Sequence, residues 1–248
     1  MSRPRDIREE IAEVCRRLWE RGLIAGQDGN VSVRVDDGRL LVTPAGMSKC
    51  NVEPDDLVEL AADGTHIAGA HRASSEVGMH LRIYELRPDV RAVVHAHPPV
   101  ATGFAVAGEG LVADVLPEII FLLGRVPLVP YATPGSSGVA EGLAPYIPNH
   151  DAFLLANHGA TTVGPSLLVA HQRMESLEHA ARILFTARQL GRVNPLTEAQ
   201  VLALVEARDA ASERAGKGAQ TQAVARERVD PGDVHSGRSD ANAGRRSQ

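Results

Sequence analysis

Hydrophobic positions at the start of the chain recur at helical spacing. Ile7, Ile11, Val14, Cys15, Leu18 and Trp19 fall on one face of a 3.6-residue repeat, and Gly22 supplies a stop. The period then changes to two: Val31, Val33 and Val35 alternate with Ser32 and Arg34, the Asp36-Asp37-Gly38 turn follows, and Leu40-Leu41-Val42 returns as the second arm of a hairpin. A second strand pair is predicted around Asp63-Gly64, over residues 57–60 and 65–68. Ser74 or Ser75 can cap a helix through Val77, Leu81, Ile83 and Tyr84, which Pro88 ends. Residues 91–97 read as a buried strand stopped by Pro98-Pro99, with further strands at 126–131 and 152–156 and a helix at 137–146. The longest periodic stretch, residues 166–189, places Leu167, Ala170, Met174, Leu177, Ala181 and Leu184 on one helical stripe. Thr197 and Gln200 form a capping-box pattern that opens a last helix.

Helices and antiparallel strands are mixed without regular strand–helix–strand alternation. The expected fold is therefore α/β, a single layered domain with a central, mainly antiparallel sheet flanked by helices. Residues 212–248 contain no Leu, Ile, Met or aromatic residue. Such a segment cannot bury enough to repay its ordering entropy, so a domain over residues 1–211 and a disordered tail over 212–248 are expected.

Composition narrows the function classes. Aromatic residues make up 3% of the chain and the formal net charge is -5, which argues against the stacking platforms and cationic surfaces of nucleic-acid binders. No apolar run approaches the ~18 residues of a membrane span, and charges occupy the N-terminal stretch where a secretion signal would be apolar. Cys15 and Cys50 form no paired motif, as expected of a protein in a reducing, cytoplasmic setting.

His95 and His97 stand two apart on a predicted strand, so both side chains leave the same face and can converge on one ion. Imidazole suits zinc-class metals, and a catalytic site takes about three protein ligands. The pair alone is a weak motif and fits polar residues at a strand end more readily. His158 also follows an apolar strand and precedes Gly159, which permits close backbone approach; His80, four residues after Glu76, is a rival third ligand. Glu76 follows Ser74-Ser75 at a helix start, where free N–H groups can bind an anion or simply be capped. Gly26-Gln27-Asp28-Gly29-Asn30 and Thr43-Pro44-Ala45-Gly46 lie at hairpin ends and suit either phosphate donors or plain turns.

Taken together, six ordered blocks resemble the class II aldolase/adducin family: Gly29-Asn30-Val31-Ser32-Val33-Arg34, Thr43-Pro44-Ala45-Gly46, Ser74-Ser75-Glu76, the run from Arg87 to His97, Pro130-Tyr131-Ala132-Thr133, and Asn157-His158-Gly159. The resemblance implies Zn2+, or another divalent transition metal, on His95, His97 and His158, with Glu76 as the acid/base. It implies phosphate held by Asn30, Gly46, Ser74 and Ser75, and a homotetramer with sites at subunit interfaces. The implied reaction is cleavage of a small phosphorylated sugar, a ketose 1-phosphate of the fuculose-phosphate or 5-deoxypentulose-phosphate type, to dihydroxyacetone phosphate and an aldehyde. Epimerisation at C4, dehydration of methylthioribulose phosphate, decarboxylation of a sugar-acid phosphate and a non-catalytic adducin-like role are the alternatives. The chain departs from the fuculose-phosphate pattern at Gln27-Asp28, at Ala45, and in residues 116–124, which offer Glu118 and no tyrosine.

Overall fold

The computed structural model describes residues 6–111 and 114–211, and the predicted tail lies outside them. One compact unit runs to Val205, and residues 206–211 are helical. Among the described residues its strands are β1 (Asn30–Arg34), β2 (Leu40–Val42), β3 (Val58–Leu60), β4 (His66–Ala68), β5 (Ala92–Ala96), β6 (Leu128–Val129), β7 (Ala152–Leu155) and β8 (Gly159–Gly164). They form one sheet in the order β4-β3-β2-β1-β5-β8-β7-β6, antiparallel throughout except for the parallel β6–β7 pair. The sheet is thus mixed, with a single parallel pairing at one edge.

Among the described residues the helices that flank it include α1 (Ile7–Glu20), α2 (Val77–Leu86), α3 (Pro99–Val106), α4 (Pro117–Leu122), α5 (Ser137–Leu143) and α6 (Leu167–Gln189). Strand alternation divides the core into two layers. Val31, Val33, Val94, Leu154 and Ala160 pack with α1, α3, α4 and α6, whereas Val93, Phe153, Val163, Leu40 and Val42 pack with α2 and α5. All six predicted stripe residues of α6 are buried, as are Ile11, Val14, Cys15 and Leu18 of α1. Trp19 does not join them: it is 48% exposed, because its position has rotated past the buried stripe.

Two elements that the hydrophobic pattern does not mark are central to the sheet and to one wall. β8, Gly-Ala-Thr-Thr-Val-Gly, lies between β5 and β7 with every residue buried. α3 begins directly behind the Pro98-Pro99 stop, since Pro is acceptable in the first helical turn. The Thr197–Gln200 capping box forms as expected: the Gln200 side chain accepts from Thr197 N at 2.8 Å, and Gln200 N donates to Thr197 Oγ1 at 3.3 Å.

Candidate active site

β5 sits at the centre of the sheet, and its parity decides which residues face α2. Val93 packs in the α2 layer, so His95 and His97, two and four residues on, emerge on that same side. His95 pairs across the sheet with Asn30 of β1 and Thr161 of β8. It is fully buried; its Nδ1 donates to Ala160 O at 2.9 Å and lies 3.2 Å from Thr161 Oγ1. A carbonyl can only accept, so Nδ1 carries the hydrogen and Nε2 the lone pair. Just beyond the strand, His97 turns its Nδ1 towards Asp28 Oδ2 at 3.4 Å, which again leaves Nε2 inward.

His158 reaches the same point from the β7–β8 turn. Asn157 there has φ 54°, and His158 N donates to Leu155 O at 3.1 Å. Gly159 is required by space: a Cβ on it would lie 2.5 Å from His97 Cδ2 and 2.6 Å from Ala96 O. The three imidazole centroids are 4.8–5.2 Å apart, and one ring nitrogen from each lies within 4.8 Å of the others.

Glu76 closes this group. Its Oε2 accepts from Asn30 Nδ2 at 2.8 Å and lies 3.3 Å from His95 Nε2, while Oε1 lies 3.0 Å from His158 Nε2. Burial pushes the carboxyl up, but His158, His95 and Asn30 together outweigh it and carry the pKa down to about 2. Burial drives His95 the other way for a base, to about 3, and also lowers His97. Neutral imidazoles with lone pairs 3.2 Å apart at the Nε2 atoms of His95 and His97 repel unless a cation lies between them. Tetrahedral ligands ~2.0–2.1 Å from zinc stand ~3.3 Å from one another, so the donor set fits a divalent ion. Buried Glu76 Oε1, which has no aligned hydrogen-bond donor, points the same way.

The structure gathers the remaining predicted residues unequally. Ala45 N donates to Arg72 O at 2.9 Å and Ser74 N to Thr43 O at 3.2 Å, so the loop of Gly46 runs beside Ser74. Gly46 is exposed with φ 70°, and Ser75 is exposed, with Gly135 of a facing loop against its carbonyl. Neither serine caps α2 as expected. Glu76 holds the N-cap position, and Ser74 Oγ accepts from Glu76 N at 3.3 Å. Asn30 is committed by one amide hydrogen to Glu76, and its buried Oδ1 has no partner. His80 is fully buried outside the triad, with Nδ1 2.6 Å from Ser32 Oγ, which in turn lies 2.8 Å from Tyr84 OH. The partners of the imidazoles, Thr161 and Asp28, were not legible as such. Asp28 stands in the Gly-bearing segment 26–30, but only the β1–β5 pairing brings it to His97.

This fold and this cluster define a class. Residues 9–185 match the family described as Class II Aldolase and Adducin N-terminal domain, and the chain belongs to that family. A 3-oxo-tetronate 4-phosphate decarboxylase of Escherichia coli K12 is 37% identical over 183 residues, covering 72% of this chain and 86% of its own length. A 5-deoxy-D-ribulose 1-phosphate aldolase of Bacillus thuringiensis is 33% identical over 192 residues, covering 77% and 90%. The crystal structure of YgbL from Escherichia coli superposes with a TM-score of 0.76 at 35% identity, covering 80% of this chain and 97% of its own. These likenesses set the chain among enzymes of the class II aldolase superfamily. Among the described residues no helix is long and apolar enough to cross a membrane.

Proposed function

We propose that this chain is a divalent-metal-dependent lyase whose reaction is decarboxylation of a 3-oxo-tetronate 4-phosphate or a close analogue, giving carbon dioxide and dihydroxyacetone phosphate. The observation that carries the reading is the carboxylate of Glu76 set between His95 and His158. His95, His97 and His158 would hold the ion, zinc or another divalent transition metal that imidazole suits. When bound, it supplies Lewis acidity that polarises the substrate ketone.

In this reaction the C1–C2 bond breaks, carbon dioxide leaves, and the electron pair stays on C2 in conjugation with the C3 carbonyl. Glu76 relays a proton from solvent to C2, and Asn30 fixes the carboxylate that does so. Ser74, Ser75, the backbone at Gly46 and the second amide hydrogen of Asn30 hold the phosphate. Carbon dioxide departs without a proton acceptor, so one proton-transfer group suffices, and the similarity to decarboxylases at 34–38% identity supports the choice.

The second reading, aldol cleavage of a ketose 1-phosphate, yields the same three-carbon product and is favoured by the 33% identity to a 5-deoxy-D-ribulose 1-phosphate aldolase. It needs a further group to take the proton from the departing aldehyde's hydroxyl. Tyr131, 61% exposed on the loop whose Gly135 abuts Ser75, is the available phenol.

The test is turnover of 3-oxo-tetronate 4-phosphate against 5-deoxypentulose and 6-deoxyhexulose 1-phosphates, with product identification. Proton exchange at the hydroxymethyl carbon of dihydroxyacetone phosphate in deuterated buffer is measured alongside. Glu76→Gln should keep its metal and lose ~10²–10⁴-fold in rate. Wild type that converts none of these acids or ketoses and exchanges no proton overturns both readings.

A further inference from the structure

Lys49 lies in the 3-10 turn Lys49–Asn51, beside the second Gly-bearing block, and is 2% exposed. Its Nζ donates to Gln27 O at 3.0 Å and to Met47 O at 2.8 Å. Gln27 belongs to the loop that carries Asp28, Gly29 and Asn30; Met47 directly follows Gly46. One ammonium therefore ties together the two loops that supply Asn30 and Gly46. Burial pushes its pKa down, against the electrostatic pull of Cys15, Asp28 and Glu76. Burying an ammonium is unfavourable unless it is held by several acceptors, and a neutral side chain would pack here at lower cost. A cation retained at the back of two loops that converge on an anion-binding surface points to a role towards that anion.

We propose that Lys49 is a positioning residue for substrate phosphate. It sets the separation of the 26–30 and 43–47 loops and contributes a fixed positive charge behind them. This rests on the phosphate site proposed above. Lys49 touches no reacting atom; it acts through the backbone of Gln27 and Met47.

The experiment uses the full chain loaded with zinc, and calorimetric titration with inorganic phosphate and with dihydroxyacetone phosphate. Lys49→Met should keep the wild-type metal content and lose tenfold or more in affinity for both anions. In the proton-exchange assay its KM should rise by the same factor with kcat within threefold. Lys49→Arg, which keeps charge and donors, should recover most of the affinity. If Lys49→Met does not fold, Lys49→Gln, which retains one donor to one loop, should show an intermediate loss. Wild-type affinity in a folded Lys49→Met or Lys49→Gln protein, or an equal loss in Lys49→Arg, overturns the positioning role while leaving the phosphate site intact. Wild type that binds neither anion overturns the phosphate site and, with it, the role of Lys49.

Discussion

Gly159→Ala adds one methyl group where His97 and the end of β5 meet the start of β8. The new carbon would lie 2.5 Å from His97 Cδ2 and 2.6 Å from Ala96 O, whereas carbon atoms pack at ~3.5–4.0 Å. Something must move by ~1 Å, and β5 and β8 are tied by the ladder from Ala92↔Gly164 to Ala96↔Ala160. The imidazole of His97 is the freer partner, being only part-buried and held on its Nδ1 side by one contact to Asp28 at 3.4 Å. Metal–ligand distances tolerate ~0.2 Å, so a ~1 Å displacement would take His97 away from the ion that His95 and His158 are proposed to hold. The expected loss in zinc affinity is ~10–100-fold or more. Overpacking adds ~1–3 kcal/mol of destabilisation, or ~2–12 °C in Tm for a domain of this size. Competition with a chromogenic chelator gives the affinity, and a thermal melt of the metal-free protein gives the strain separately. A Gly159→Ala protein that binds zinc within threefold of wild type would refute the argument that this glycine exists to make room for His97.

Three further outcomes are expected. His95→Ala and His158→Ala should lose the ion by elemental analysis, whereas His80→Ala, whose ring stands outside the triad, should keep it; the reverse pattern would reassign the ligands. Glu178 of α6 is 3% exposed and accepts from Val100 N and Ala101 N at the start of α3 and from Arg182 Nε. Glu178→Ala should therefore cost ~2–4 kcal/mol in urea unfolding, and a loss below 0.5 would show that water replaces the carboxylate at no cost. Burial raises the Cys15 thiol to about 12, while Cys50 is part-exposed, so a chromogenic disulfide reagent should find one thiol in the native protein and two after denaturation.

Much of the fold could be read from the sequence, because α1 and α6 each bury one consistent face, the β1–β2 hairpin is marked by alternation and an Asp-Asp-Gly turn, and β5, buried on both faces, ends at a Pro-Pro stop. β8 escaped for a physical reason. Its residues are small and buried on both sides, so Gly-Ala-Thr-Thr-Val-Gly shows neither alternation nor a long apolar run. β6 is shorter than the apolar stretch at 126–131 suggests, because only Leu128 and Val129 reach β7. At the candidate site, the convergence of His95 and His97 follows from strand parity alone. The approach of His158 depends on the β5–β8–β7 pairing, and the contacts of Asp28 and Lys49 depend on how loops fold over the sheet end. Spacing carries no trace of such contacts. Asn30 shows the same limit: its place in a motif suggested phosphate, and nothing in the spacing showed that one of its amide hydrogens goes to Glu76.

The sheet ends in β4, three residues long, and in β6, two residues long. Edges this brief offer a neighbouring chain too few unpaired backbone groups to add a strand. Copies of this protein that associate must do so through side chains rather than by lengthening the ladder. A partly unfolded chain in which the 65–68 or 126–131 segment straightens would lose that protection first.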